Sequence, residues 1–211
     1  MEVSLQSIQK TGVYLIWFLS LGVALVSYRF LALGLGAAFP VMANHIASLS
    51  LAFLLHVSAS PIALALGLFQ FLPKLRAKRP ALHRWSGRAY GLAILIGGLS
   101  GLVISYGSLD RPIAGIGFGL LAVVWLAVTG NAIRLAMAGR IVEHRRWMIR
   151  SFALTLAAVT LRLLLPIFMG AGAMEYAEAS NYVAWLCWVP NLIITEFNLR
   201  SGRGSSRAFP G

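Results

Sequence analysis

The 211-residue sequence is 59% hydrophobic and only 11% charged, whereas a soluble domain is roughly half apolar and about a quarter charged. With a mean hydropathy of +0.79, the chain has too few charges to cover a soluble globule, so an integral membrane protein is predicted. The net charge of +12 comes from Lys and Arg residues grouped between long apolar runs, a pattern that follows the positive-inside rule and excludes nucleic acid as an expected partner.

Six apolar stretches are each long enough to cross the hydrocarbon core, for which a helix needs about 20 residues. They cover residues 12–36, 46–72, 89–109, 113–138, 148–170 and 180–199. The first exceeds the apolar region of a signal peptide, about 7–15 residues, so we expect it to be retained as a helix. The sequence thus predicts an all-α fold, an integral membrane bundle of six transmembrane helices that forms a single domain over residues 1–211.

Positive charge is concentrated in alternate connections between these stretches. Six Lys and Arg residues lie in 73–88 and three lie in 139–147, whereas the intervening connections carry Asp110 and Glu175. Because cytoplasmic loops hold an excess of Lys and Arg, we predict that both termini are cytoplasmic. The tail, residues 200–211, is expected to be a flexible, basic cytoplasmic segment.

Two pairs of glycines stand four residues apart within the apolar stretches. Gly97 and Gly101 lie in the third stretch, and Gly115 and Gly119 lie in the fourth. Small residues at this spacing let helix backbones approach closely in a membrane. Both pairs therefore predict tight helix–helix contacts.

A short internal repeat precedes the third and fifth stretches. It runs His83-Arg84-Trp85-Ser86-Gly87-Arg88-Ala89-Tyr90 in the first copy and His144-Arg145-Arg146-Trp147-Met148-Ile149-Arg150-Ser151-Phe152 in the second. Allowing one inserted residue, both copies read His-Arg, then Trp-x-x-Arg, then an aromatic residue. The match favours a duplicated helical hairpin, with the third and fifth helices parallel.

The two histidines of this repeat, His83 and His144, have two interpretations. In the first they are interfacial anchors, with tryptophan at the headgroup level and the basic side chains on lipid phosphates. In the second they are the two axial ligands of one b-type haem, because imidazoles on facing bundle helices are a known way to hold this cofactor. The haem propionates would then pair with the neighbouring arginines Arg84, Arg88, Arg145 and Arg150.

Three ionisable residues are predicted to lie within the membrane. His56 falls midway along the second stretch and Arg162 lies at a similar height in the fifth. An intramembrane charge is costly and faces either the bundle interior or, by snorkelling, the interface; both orientations are open for Arg162. Glu196, near the cytoplasmic end of the sixth stretch, is expected either to pair with a nearby arginine or to transfer protons.

The sequence gives no support to nucleophilic catalysis. It contains no G-x-S-x-G motif, and the single cysteine, Cys187, lies in an apolar stretch where a thiol behaves as a small hydrophobe. One cysteine also excludes an intrachain disulfide and metal centres built from several cysteines. We therefore predict no catalytic residues and no metal site. The absence of a catalytic motif favours a protein that is not an enzyme.

Several segments together resemble a family of bacterial predicted membrane proteins of unknown function (domain of unknown function, family 2306). The resemblance covers roughly residues 45–200 and is carried by Gly67-x-Phe69-Gln70-Phe71, Pro80-x-x-His83-Arg84-x-x-Gly87-Arg88-x-Tyr90, His144-Arg145-Arg146-Trp147-Met148-Ile149-Arg150-Ser151, Leu161-Arg162-Leu163, Trp188-x-Pro190-Asn191 and Glu196. It implies a multi-pass protein of the bacterial inner membrane and implies no particular activity.

These observations lead to three functional hypotheses. The first is a small inner-membrane protein without soluble-type catalysis, either an accessory subunit or a binder of a lipid, a quinone or another hydrophobic ligand. The alternative is a di-histidine haem b protein for membrane electron transfer, and a further alternative is a small transporter whose path is lined by His56 and Arg162. The expected partners are the lipid bilayer, other membrane proteins and hydrophobic small molecules. No cofactor is expected under the first hypothesis.

Overall fold

The computed structural model describes residues 5–108, 112–170 and 174–201, with side chains from Thr11 onward. Within these ranges almost every residue is helical and none belongs to a β-strand, which confirms the all-α prediction. Asp110 and the tail beyond Ser201 lie outside the described residues.

The helices are numbered in chain order. They are α1 (Leu5–Ser27), α2 (Phe30–Ala38), α3 (Ala43–Ser48), α4 (Ser50–Gln70), α5 (Pro73–Lys78), α6 (Pro80–Tyr106), α7 (Pro112–Met137), α8 (Ile141–Thr155), α9 (Ala157–Gly170), α10 (Tyr176–Leu186) and α11 (Val189–Arg200), with a short 3-10 turn at Pro40–Met42.

Four of these segments are long and apolar enough to cross a membrane by themselves. They are α4, α6, α7 and the run Ile141–Gly170, in which α8 continues into α9. There is a fifth candidate span if α1 and α2, which are bent by 79° relative to each other at Tyr28–Arg29, together form one span. The chain is therefore a multi-pass membrane protein with four to five candidate spans among the described residues. The six-span layout and the position of the termini stay predictions.

The sixth predicted span, 180–199, differs most from the structure. It consists of two short helices, α10 and α11, that are interrupted at Cys187 and Trp188. Pro190 explains the interruption, because its ring clashes with the carbonyl four residues back and it has no amide hydrogen to donate. Proline is instead well suited to the first turn of a new helix, which begins at Val189.

The third and fifth predicted spans start too late. Helix α6 begins at Pro80 and α8 begins at Ile141, so the His-Arg-Trp motifs lie inside helices and not in the loops before them. Hydropathy detects only the apolar part of a helix and misses the amphipathic turns at its end. Both histidines are consequently the fourth residue of their helix.

The most extensive helix–helix contact among the described residues joins α4 to α6, and the predicted glycine pair lies in this contact. A Cβ atom at Gly97 would lie 2.7 Å from Ser60 Oγ and 3.6 Å from the Ser60 backbone, and one at Gly101 would lie 3.3 Å from the His56 ring. At the α6–α7 contact, a Cβ atom at Gly115 would lie 2.9 Å from the Ser108 carbonyl oxygen. Both pairs therefore make tight contacts, as the spacing predicts.

A buried network of hydroxyl groups ties α6, α7 and α8 together. Tyr90 Oη lies 2.8 Å from Ser151 Oγ and 3.0 Å from Thr155 Oγ1. From α7, Thr129 Oγ1 lies 2.7 Å from Ser151 Oγ, and Trp125 Nε1 donates to Thr155 Oγ1 at 2.9 Å. Because lipid is as apolar as a protein interior, such interhelical hydrogen bonds supply specificity that apolar contacts alone cannot.

Candidate binding cavity and the histidines of the basic end

A cavity of about 780 Å³ lies inside the bundle. Its wall is formed by α1, α4, α6, α7, α9 and the segment that follows α2. Most of the lining side chains are apolar, such as Leu64, Phe118 and Leu161. This size and lining are those of protein sites that bind small hydrophobic molecules.

A smaller set of polar side chains also faces this cavity. These are Ser27, Arg29, His45, His56, Ser60, Ser105, Ser108, Thr155, Arg162, Tyr176 and Ser180. No Asp or Glu is present among the described residues that line the cavity. The polar part of the wall is therefore cationic and hydroxyl-bearing.

Arg162 lies on the cavity wall, so of its two predicted orientations the structure has the inward one. Its Nη2 donates to Ser27 Oγ of α1 at 2.9 Å, and its Nη1 donates to the Ala158 carbonyl oxygen at 3.0 Å. Both acceptors are neutral. A charged side chain at membrane depth costs about 2.5–3.5 kcal/mol on insertion scales, and no carboxylate among the described lining residues neutralises this charge.

A second guanidinium, that of Arg29, lies at the bend between α1 and α2. Its Nε donates to the Ala38 carbonyl oxygen at 3.0 Å, its Nη2 donates to the same oxygen, and its Cζ lies 4.6 Å from the centre of the Phe39 ring. Arg162 donates to Ser27, which lies only two residues before Arg29, and both arginines line the cavity. Two cations thus share this part of the cavity.

His56 is held in one orientation by the neighbouring helix. Its Nδ1 lies 2.8 Å from the Gly97 carbonyl oxygen, and since a carbonyl can only accept, Nδ1 carries the hydrogen. In the neutral ring Nε2 is then an acceptor. His56 therefore offers the cavity an imidazole of defined tautomer.

The cavity reaches the outer surface of the bundle beside α1. Phe18 and Val26 line the cavity and are 75% and 56% exposed. Exposure this large requires that these side chains also face the surroundings of the bundle. A ligand could therefore enter sideways from the lipid.

The repeated motifs lie at the opposite end of the bundle, called the basic end and defined by residues 73–88 and 140–150. His83 and His144 both lie at this end, in two helices that each pack against α7. His144 Nδ1 donates to the Ala132 carbonyl oxygen at 2.8 Å, whereas His83 Nδ1 is buried without a hydrogen-bond partner in the described part of the chain.

Both copies of the motif make the same local contact between tryptophan and arginine. Arg88 Cζ lies 4.8 Å from the centre of the Trp85 ring, and Arg150 Cζ lies 5.0 Å from that of Trp147. These distances are those of cation–π pairs. The shared contact supports the alignment of the two copies, while duplication of the hairpin stays a prediction.

The arginines near these histidines differ in their surroundings. Arg150 forms a bidentate ion pair with Glu196 of α11, in which Nη2 lies 3.1 Å from Oε2. Arg84 and Arg88 are exposed, and Arg145 is partly exposed. The charge of Arg150 is thus already compensated by a carboxylate, whereas Arg84, Arg88, Arg145 and Arg146 form no ion pair with a carboxylate among the described residues.

Sequence reasoning missed Arg29 and Ser27, although both contribute to the charged part of the cavity. Both fall inside the stretch 12–36, where a single charge hardly changes the mean hydropathy. A lone arginine within a predicted span was a usable signal, because such residues commonly mark function. Ser27 gave no signal, since its role depends on the packing of α1 against α9.

The arrangement defines the class of protein: a multi-pass helical membrane bundle with an internal cavity. The sequence model of the family described as "Predicted membrane protein (DUF2306)" matches residues 53–199, and the chain belongs to this family. The matched region includes His56, Arg162 and both motifs but not Arg29. No curated protein and no solved structure matches the chain.

Proposed function

We propose that this protein binds a hydrophobic small molecule inside the membrane, as a lipid-type binder and not as a catalyst. The observation that carries the proposal is the 780 Å³ cavity, with apolar walls and a few convergent polar groups. Sites of this composition hold apolar ligands by burial and orient them through the polar groups. The lateral opening beside Phe18 and Val26 suits a ligand that partitions into lipid.

Gly22 allows a direct test of the cavity. It lines the cavity, and a Cβ atom there would meet nothing within 4 Å, so Gly22→Phe should fill space without disturbing the helices. Gly12→Phe, on the same helix but away from the cavity and equally unobstructed, is the matched control. Native mass spectrometry of the purified protein should show a bound hydrophobic molecule in wild type and in Gly12→Phe, and its loss in Gly22→Phe. Equal retention in all three proteins would contradict the proposal.

A second candidate, a di-histidine haem b protein, is supported by the matching positions of His83 and His144, each in the first turn of its helix at the same end of the bundle. The bond from His144 Nδ1 to a backbone carbonyl leaves Nε2 as the ligating atom, in the manner usual for metal-bound histidines. Arg84, Arg88 and Arg145 would be the partners of the propionates. The ion pair of Arg150 with Glu196 argues against a propionate role for Arg150.

Haem binding predicts a Soret absorption band in protein expressed with ample haem. The low-spin form of the band should be lost in His83→Ala and in His144→Ala, by a shift to a high-spin spectrum or by loss of haem, because each variant lacks one of the two axial ligands. It should persist in His45→Ala, whose imidazole lies 2.6 Å from Ser108 Oγ at the other end of the bundle. A colourless wild-type protein would exclude this candidate.

We infer further that the basic end faces the cytoplasm of a bacterial inner membrane. The charge asymmetry of the connections supports this orientation. A membrane-impermeant maleimide should label Glu175→Cys in intact cells, whereas Lys74→Cys should react only after permeabilisation. Cys187 is fully buried and adds little background. Labelling of Lys74→Cys from outside would reverse the orientation.

A further inference from the structure

The cavity combines a long apolar wall with two arginines whose charges no carboxylate of the lining compensates. The described lining residues include Arg29 and Arg162 but neither Asp nor Glu. Both guanidiniums donate to neutral oxygens: those of Ser27 and Ala158 for Arg162, and those of Val26 and Ala38 for Arg29. Arg162 reaches Ser27, two residues before Arg29, so the two like charges line the same part of the cavity.

An uncompensated pair of cations in a low-dielectric site favours an anion over a neutral ligand of the same shape. Guanidinium groups match the oxygens of carboxylate and phosphate by charge-assisted hydrogen bonds. His56 and the Ser60 hydroxyl, whose Oγ is buried without a partner among the described residues, add polar groups to the same wall. The rest of the cavity is suited to a hydrocarbon chain.

We propose that the ligand of this cavity is an anionic amphiphile, a molecule with a carboxylate or phosphate head and an alkyl chain. The head pairs with Arg162 and Arg29, and the chain lies along the apolar wall toward the opening beside Phe18. This inference rests on the proposed function and narrows it to one class of ligand. A quinone has a neutral head and therefore does not belong to this class of ligand.

The test compares probes that differ only in the charge of the head. Brominated stearate and brominated octadecanol have the same chain, and bromine quenches nearby tryptophans such as Trp125, which lines the cavity. The wild-type protein and its variants are measured in phosphatidylcholine nanodiscs at a pH at which the carboxylate is ionised. The quenching that is lost in Gly22→Phe but kept in Gly12→Phe is the signal from the cavity.

Brominated stearate should bind wild type about ten-fold more tightly than the alcohol, the ratio expected for one charge-assisted hydrogen-bonded contact. Arg162→Gln should reduce this preference, because only Arg29 would then remain to pair with the anionic head, and Arg162→Lys should retain more of the preference than Arg162→Gln. A brominated lysophosphatidate shows whether the natural head is a phosphate, since it would then bind more tightly than the stearate.

The outcomes separate this inference from the proposal on which it rests. Equal affinity of wild type for stearate and the alcohol, both lost in Gly22→Phe, would overturn the anionic class and leave a neutral-lipid site. Absence of any signal sensitive to Gly22→Phe would overturn the proposed function itself. The comparison of probes in wild type decides the question even if Arg162→Gln does not fold.

Discussion

Gly97→Leu is expected to lower the thermal stability of the detergent-solubilised protein markedly. The first side-chain atom would lie 2.7 Å from Ser60 Oγ and 3.6 Å from the Ser60 backbone, so the hydroxyl can rotate away but α4 itself blocks the remaining atoms. Overpacking of this kind costs about 1–3 kcal/mol and occasionally more. Because α4 and α6 share the most extensive helix–helix contact among the described residues, they must move apart locally to accept the larger side chain.

Gly130→Leu in α7 is the matched control, since a Cβ atom at Gly130 would meet nothing within 4 Å. Both substitutions gain helix propensity, up to about 1 kcal/mol relative to glycine, so the difference between the two variants isolates packing. Thermal unfolding followed by circular dichroism should give a clearly lower melting temperature for Gly97→Leu. Identical melting temperatures would show that α4 and α6 are not in close contact.

Thr155→Val is expected to destabilise the bundle at almost constant shape. The hydroxyl accepts from Trp125 Nε1 at 2.9 Å, lies 3.0 Å from Tyr90 Oη and donates to the Ser151 carbonyl oxygen at 2.9 Å. Its removal leaves the Trp125 N–H buried without an acceptor, whereas Tyr90 keeps its bond to Ser151. An orphaned buried donor costs about 1–3 kcal/mol.

The control for this prediction is Thr195→Val, which removes a hydroxyl from a partly exposed position on α11. Stability in detergent should fall for Thr155→Val and change little for Thr195→Val. The near-ultraviolet circular dichroism of Trp125 should change in the first variant as well, because its indole loses a fixed partner. An unaltered melting curve for Thr155→Val would mean that the network contributes nothing to stability.

Mean hydropathy was sufficient to predict an all-helical membrane protein, because the apolar runs of α4, α6 and α7 are long and almost free of charge. The interruptions within the predicted spans were harder to predict from the sequence. Pro190 could have marked the start of α11, since proline is favoured in a first helical turn, but hydropathy averages across such a break. The 79° bend at Tyr28–Arg29 had no comparable signal.

The candidate site was only partly predictable for a related reason. Arg162 and His56 stand out because ionisable residues are rare in apolar stretches, and the pairing of Glu196 with one of the basic residues followed from the cost of an isolated charge. Whether Arg162 faces inward depends on Ser27, a residue 135 positions away. Such partners are chosen by tertiary packing, on which a single sequence carries no direct information.

The tryptophan–arginine stacks in the second and third turns of α6 and α8 have a consequence for how the protein responds to the thickness of the surrounding bilayer. An indole prefers the headgroup level, and the stacked guanidinium cannot follow it into hydrocarbon without a large cost. Neither helix can therefore slide inward alone when the bilayer thickens. Since both helices pack against α7, we expect the bundle to respond as one body, with a smaller tilt angle in a thicker bilayer and a larger tilt angle in a thinner one.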